Sequence, residues 1–445
     1  MATSLAPPVT SIINNSVRQG IVPDQWKLAR ITPIPKLYPP VNIESDLRPI
    51  AVTNSLAKIA EKFVSRHFNE YFDEFTDDNQ FGCVRNRSTT HALLKIMHEL
   101  FLASDSSQNI IRVLFVDFTK AFDVIDHNVL FNKFVNCGMP EHVVAWSMDF
   151  LCGRKQFVKL TDSVSSVSHA TAGTPQGTVS GPNDFKLIIN DLQFDIGYVK
   201  FVDDTTTFSV SNDPHNCLLQ KAADYLVSWT DVNGMVINTS KTQEMVVYFG
   251  KQLCVDDIPL ICINGRHIKR VVSFKLLVVV TSSYLTWGAH VSYILSKTSK
   301  RIYCILNLCK AGVPTRDIVY IYCSVIRSVL GYACPVWHPG LTSKLSKDIE
   351  HVQKRCLRII FPKLSYSEAL DKSGLNRLDT RREEITKQIF RQIKSPTHPL
   401  HCLIPLPKVS SSQMILRPTY PYQIPKCKRT RYGKDFIPYC IARKY

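Results

Sequence analysis

An α+β fold leading into an all-helical region is what this 445-residue sequence predicts, and three observations predict it. Ile110 to Val116 is a short, nearly continuous apolar run ending in Asp117; it is too short for a helix and fits a strand buried on both faces. Tyr198 to Val202 and Thr205 to Val210 are two β-rich runs around Asp203-Asp204, the pattern of a tight hairpin. Beyond about residue 285 the periodicity turns helical.

The elements follow in order. Pro alternates with short apolar runs from Trp26 to Pro40, which reads as extended segments and turns. A helix is expected from Asn54, its N-cap, to Phe72, with Leu56, Ala60, Val64 and Phe68 on one face. A second runs from Thr89 to Ala103. After the buried strand come a helix at Asn128 to Cys137, closed by Gly138 and Pro140, and a hairpin-like segment at Gln156 to Thr171. A Gly-Pro-rich loop (Gly173 to Pro182) then leads into a helix at Asn183 to Leu192. Past the acidic hairpin, a helix at Leu218 to Asn233 and strands at Glu244 to Phe249 and Ser273 to Thr281 complete the mixed region. Val291, Ile294, Leu295, Thr298, Ile302, Ile305 and Leu306 then form an apolar stripe at helical spacing. Helices at 315–330, 344–360 and 378–394 and a Pro- and Lys/Arg-rich tail from about 396 end the chain.

With 45% hydrophobic and 20% charged residues the composition excludes a disordered or low-complexity protein. Length suggests two or three domains. Apolar stretches such as Ile318 to Ile326 fall short of the ~20 residues of a membrane span, and Met1 to Ile13 lacks the pattern of a signal peptide. A soluble intracellular protein, with no membrane partner, is the expectation. The 14 cysteines have no C-x-x-C pair and read mostly as small buried thiols. Cys334 with His338, and His398 with His401 and Cys402, lack a second ligand pair, so no structural zinc is expected. Of the net charge of +17, residues 286–445 carry +19, from 28 Lys and Arg against 9 Asp and Glu. A basic region joined to a near-neutral one suits a phosphate-rich polymer, although a solvated basic surface has the same composition.

An acidic pair at a hairpin tip is ordinary turn chemistry by itself, and an Asp ending a strand is equally ordinary. Together they say more. The strand end and the hairpin can lie side by side in one sheet, bringing Asp117, Asp203 and Asp204 to one point. Three such carboxylates repel unless cations bind them, and oxygen-only ligation selects magnesium or manganese. Two such ions suit in-line phosphoryl displacement, activating a hydroxyl and stabilising the leaving group.

The runs Phe115-Val116-Asp117-Phe118-Thr119-Lys120-Ala121-Phe122-Asp123, Gly173-Thr174-Pro175-Gln176-Gly177 and Phe201-Val202-Asp203-Asp204 resemble, in the same order, the three palm motifs of reverse transcriptases. More narrowly they are similar to the polymerases of non-LTR (LINE-type, jockey-like) retrotransposons. Trp26-Lys27, Pro33-Ile34-Pro35-Lys36, Arg48-Pro49-Ile50, Gln80-Phe81-Gly82, Arg87 to Leu93, Ile189 to Leu192, Asn238 and Lys241-Thr242 continue the match. Tyr332 to Trp337 and Glu350 to Arg355 extend it past the polymerase core.

The resemblance implies a right-hand polymerase fold: a fingers region (1–109), a palm (110–285), a thumb (286–312) and a basic helical carboxy-terminal region (313–445). It implies RNA-directed DNA polymerisation, with dNTPs, an RNA template and a DNA primer as partners. Asp117 and Asp203 would bind catalytic metals and Asp204 would complete the acidic cluster. Phe122 would exclude a 2′-hydroxyl, Gln176 and Gly177 would line the nucleotide and template pocket, and Lys241 would face the triphosphate. Lys36, Arg48 and Arg85 are candidates for phosphate contacts, with plain solvation the competing reading. An endonuclease domain normally precedes this polymerase; none is seen here, so a nick would have to be supplied separately. Nuclear location follows from the lifestyle of such elements, with Lys426 to Arg431 as a short basic cluster.

Departures from the family pattern stand at Ser180, Asn183, Asp184 and Lys186, where apolar residues are usual. Each buried polar group would cost on the order of 1–3 kcal/mol unless partnered. Val202 replaces a smaller residue, and Val278 a Gly of the hairpin thought to hold the primer end. These substitutions keep two other outcomes open: a nucleic-acid-binding remnant that no longer polymerises, and an unexpressed or misfolded relic.

Overall fold

A computed structural model describes residues 2–407 and 421–445. The first half comprises α1 (Ala2–Gln19), β1 (Leu28–Pro35), β2 (Leu47–Val52), α2 (Ser55–Phe72), α3 (Thr89–Ala103), β3 (Ile110–Val116), α4 (His127–Asn136), α5 (Glu141–Leu151), β4 (Lys155–Leu160) and α6 (Gly181–Ile189). Then come β5 (Gly197–Phe201), β6 (Asp204–Ser211), α7 (Leu218–Asn233), β7 (Gln243–Val247), β8 (Lys269–Arg270), β9 (Ser273–Leu276) and β10 (Val279–Ser282). The helical part holds α8 (Gly288–Lys310), α9 (Thr315–Tyr322), α10 (Ser343–Ile360), α11 (Leu378–Ile393) and α12 (Phe436–Ala442), with a further eight-residue helix at Tyr366–Ser373 and shorter turns between them.

β3 is the middle of a five-stranded sheet of order β8-β7-β3-β6-β5, antiparallel to both β6 and β7. All seven of its residues are buried. Ile111, Val113 and Phe115 face a core shared with α3, α8, α10 and α11, while Leu114 and Val116 face a second core built with α2, α4, α5, α6 and α7. An apolar run without alternation is therefore what a strand covered on both faces requires. A smaller sheet, β2-β1-β4, stands beside it, with β1 antiparallel to β2 and parallel to β4.

Local chemistry sets the helix starts. Asn54 accepts from the Leu56 N–H at 2.8 Å, and the Asp126 carboxylate accepts from Asn128 and Val129. Gly234 ends α7 with φ +65, the left-handed cap that Gly fills without strain.

Four expectations need correction. α1, with Pro7 and Pro8 inside it, and α5 carry no helix prediction; they form against each other, Trp146 Nε1 donating to Ser16 Oγ at 3.0 Å. The stretch from 421 is no loose tail. α12 buries Phe436, Ile437, Cys440 and Ile441 in the core that contains α3 and α11. The cysteines are not mostly buried: only Cys334, Cys356 and Cys440 are, and seven are exposed. Finally, Thr315–Gly340 is long and apolar enough to pass for a membrane span. It is broken by a π turn at Cys323–Arg327 and by Ala333 at φ +48, and Ile318, Tyr322, Ile326, Leu330 and Trp337 are core residues.

Candidate active site

Val116 pairs with Thr205, so the end of β3 and the turn of the β5–β6 hairpin lie side by side, with Asp117 next along one and Asp204 along the other. Phe201 pairs with Asp204, which leaves Val202 and Asp203 as the two turn residues. Val202 adopts φ +59. That region is costly for a β-branched side chain, which explains why a smaller residue is usual there.

The turn is held from beneath by residues 79–82. Gln80 Oε1 accepts from the N–H of Val202 at 3.1 Å and of Gly82 at 2.8 Å. The Phe81 N–H donates to the Lys200 carbonyl, and the Lys200 N–H to that of Asn79, both at 2.8 Å. A Cβ on Gly82 would meet Val202 N at 2.4 Å, so only glycine permits this approach. Lys200 itself is fully buried. Its Nζ donates to the carbonyls of Ile189 and Leu192 at 2.8 Å each and pairs with Asp77 at 2.7 Å, fastening the hairpin to the negative end of α6. Gln80-Phe81-Gly82 is legible in the sequence only as a motif; its bracing of the acidic turn is not.

Asp117 and Asp203 line one cleft of about 1380 Å³, together with Phe122, Gln176, Gly177 and Lys241. Lys36 and Arg48 line it too. Arg85 and Asp204 are both exposed, and neither is part of the wall. Burial raises the Asp117 carboxyl above its ordinary value, against the charge of Lys241 and a hydrogen bond from the Asn238 side chain. Asp203 is raised by burial and by Asp117, with its own backbone and Arg48 opposing. Asp204 is pushed up to about 6 by loss of water around its carboxyl and by Asp203 and Asp117. Burial is the largest cause of all three shifts, and neighbouring carboxylates add to it at Asp203 and Asp204.

Contacts behind these residues set the geometry. The Asn238 N–H donates to the Asp117 carbonyl at 2.8 Å, and Thr242 Oγ1 accepts from the Asp117 N–H at 3.2 Å. The turn between them carries Lys241. Phe122 stacks on Phe185 of α6, centroids 4.8 Å apart. Gln176 donates through Nε2 to Asp123 at 3.3 Å, and its carbonyl accepts from the Ala51 N–H at 2.7 Å. Gly177, at φ +104, is so close to β2 that a Cβ would meet the Ala51 carbonyl at 3.0 Å. Asn238 and Asp123 thus join the site; an Asn ahead of Lys241 at turn spacing was the available signal for the first.

Of the residues that break the family pattern, Ser180, Asp184, Lys186 and Val278 are accommodated. Lys186 Nζ reaches Asn69 at 2.9 Å and Asp73 at 3.3 Å and lies over the rings of Phe68 and Phe72. Thr174 Oγ1 donates to Asp184 at 2.9 Å, and the Glu61 carboxylate accepts from the Val179 and Ser180 N–H groups at the start of α6. Leu277 and Val278 make the β9–β10 turn at φ +43 and +71, so the bend is formed despite the missing glycine.

Asp117 and Asp203 offer an oxygen-only donor pair. Among the described residues no three His, Cys, Asp or Glu side chains stand close enough to enclose an ion. A carboxylate pair of this kind fits magnesium, which keeps several waters and takes its remaining ligands from substrate phosphates. It does not fit zinc.

Residues 34–283 match the family described as Reverse transcriptase (RNA-dependent DNA polymerase). The "Probable RNA-directed DNA polymerase from transposon X-element" of Drosophila melanogaster is 25% identical over 79% of this chain and 39% of its own length. The RNA-directed DNA polymerase from mobile element jockey of the same fly is 26% identical over 78% and 39%. The chain therefore spans about two fifths of the length of these curated relatives. Among solved structures, apo telomerase from Candida tropicalis overlays 90% of this chain and 68% of its own at 10% identity, with a TM-score of 0.45. With its acidic strand end, acidic hairpin and Gln-Gly loop inside the matched segment, the chain belongs to the reverse transcriptase family and has a right-hand polymerase fold.

Proposed function

We propose that this chain is the polymerase of a non-LTR retrotransposon, adding deoxynucleotides to the 3′-end of a DNA primer on an RNA template. The observation that carries the proposal is the convergence of Asp117 and Asp203 in one cleft with Lys241 beside Asp117 and the 175–177 loop as part of its wall. Divalent ions are what reverse transcriptases generally use. Asp117 and Asp203 would hold magnesium, or manganese by the same donor chemistry, with Asp204 lending charge beside them. Bound there, the ion would favour the 3′-alkoxide and neutralise the triphosphate.

The protein's own groups do the rest. Lys241 is held beside Asp117 by the Asn238 turn, where its ammonium meets the triphosphate and stabilises charge on the leaving group. Phe122 is fixed by its stack on Phe185 and forms a floor against which a 2′-hydroxyl would clash. Gln176 and Gly177 present backbone closely enough to a base pair to position it. The primer end is made by a nicking activity that none of these residues supplies.

Primer extension on an RNA template, with magnesium and dNTPs, tests this against Asp203→Asn, Asp204→Asn. Extension by the parent protein and none by the double variant is expected. Absence of extension by the parent, with RNA binding intact in a filter assay, overturns the proposal.

A further inference from the structure

We propose that the exposed face of α10 is a second RNA contact, outside the cleft, that grips the phosphate backbone of the template. Lys344, Lys347, His351, Lys354, Arg355 and Arg358 are all exposed. Their spacing of three, four, three, one and three residues puts them in one stripe along the helix. From Lys344 to Arg358 it is about 21 Å long at 1.5 Å per residue. The opposite face buries Ile349, Val352, Cys356, Leu357 and Ile360 in the core, so the orientation is fixed.

The stripe is poorly suited to stability. Its neighbours at i+3 or i+4 set like charges or a titratable histidine against each other, where Glu-Lys pairs would each contribute about 0.2–0.5 kcal/mol. Lys344 and Lys347 stand near the positive end of the helix dipole, the unfavourable end for a cation. α10 has no acid in its first turn. Of its two acids, Glu350 is turned inward, accepting from the Leu378 N–H at 3.0 Å and bonded to Tyr366, so it neutralises nothing on this face. Asp348 alone interrupts the stripe. Among the described residues, none of the five Lys and Arg side chains enters an ion pair. Lys354 lies over the Tyr366 ring at 5.2 Å, and a row of cations without ion-pair partners on a rigid, core-anchored helix matches a polyphosphate.

The choice of RNA rests on the polymerase reading above. None of the stripe residues lines the cleft of Asp117 and Asp203, so the stripe is a separate surface. In that reading the template runs on beyond the reacting nucleotides on its unpaired side, and that single strand is RNA.

The test is binding of a labelled single-stranded RNA by anisotropy across a salt series. It compares the full chain with Lys344→Gln, Lys347→Gln, Lys354→Gln, Arg355→Gln, Arg358→Gln. Each phosphate contact contributes about 0.7 to the slope of log affinity against log salt, so the slope should fall by up to about 3.5. Gln matches Lys and Arg in helix propensity, so the melting temperature should hold. Should the fivefold variant melt early, Lys354→Gln, Arg355→Gln carries the test, with a slope loss of about 1.4. An unchanged slope in a folded variant overturns the inference. So does a fall confined to duplex DNA, which would assign the stripe to a DNA target. Primer extension by the parent protein is scored separately: a slope loss without extension fails the polymerase reading alone, and extension without slope loss fails the stripe alone.

Discussion

Asp184 shows how far a single residue's chemistry follows its surroundings. Fully enclosed at the base of the Gln-Gly loop, its carboxyl is pushed up to about 8 by burial and by Glu61, against the hydrogen bond from Thr174. In the unfolded chain it titrates near 4. Between those two values the folded protein holds a proton that the unfolded chain has lost, so stability falls as pH rises from about 4 through 8. Asp184→Asn keeps the shape and removes the charge. The variant should melt above the parent at pH 9 and no higher at pH 5; an equal difference at both would show that ionisation is not the cause. Val278 is the second such residue. At φ +71 it carries the left-handed penalty of roughly 1–2 kcal/mol that glycine avoids. Val278→Gly should therefore slow amide exchange across Ser273–Ser282 by roughly tenfold when measured by mass spectrometry. Faster exchange would mean that the extra backbone freedom of glycine outweighs the relieved strain.

At the scale of elements, the acidic hairpin is positioned by a segment over a hundred residues earlier. Gln80 and Gly82 sit directly under Val202, and Lys200 locks the hairpin to α6. Gly82→Ala would drive a methyl group into Val202 and displace Asp203 relative to Asp117. Its expected effect is a fall in kcat of roughly a hundredfold, the scale of a 1 Å misplacement, with RNA affinity unchanged because the cleft walls stand. A weaker RNA affinity at unchanged kcat would show that the segment serves template and not the acids. The elements themselves were largely readable. Strand β3, helices α2, α3 and α7 and the hairpin announce themselves through period, length and caps, all of which are local properties. The bracing of Val202, the bond from Asn238 to Asp117 and the partners of Lys186 were not, because each is a contact between segments far apart in sequence. The missed helix α1 is the same lesson: two prolines speak against it locally, and packing on α5 decides otherwise.

At the scale of the molecule, charge and packing divide the chain differently. The shift to +19 after residue 285 suggests a separate basic region, yet charge reports only the outer face of these helices. Their inner faces join α3 and one side of the sheet in a single core that reaches Ile441. α12 closes that core, and seven residues with a proline among them are too few for periodicity to reveal it. Its anchor is Asp435, whose carboxylate meets His98 Nδ1 at 2.6 Å, both groups buried. Burial alone would lower the imidazole, but the charge and hydrogen bond of Asp435 hold it above its ordinary value. A raised histidine adds stability that is full below the unfolded value near 6.5 and is lost as pH climbs through the folded one. Asp435→Asn should therefore cost more at pH 5.5 than at pH 9. The expected difference is on the order of 1–2 kcal/mol, what a hydrogen bond between charged groups adds over a neutral one. Thermal melts at the two pH values, with amide exchange in Thr89–Ala103 as the local readout, decide it. A deficit of the same size at both would make the pair a neutral hydrogen bond and leave α12 held by Phe436, Ile437, Cys440 and Ile441 alone.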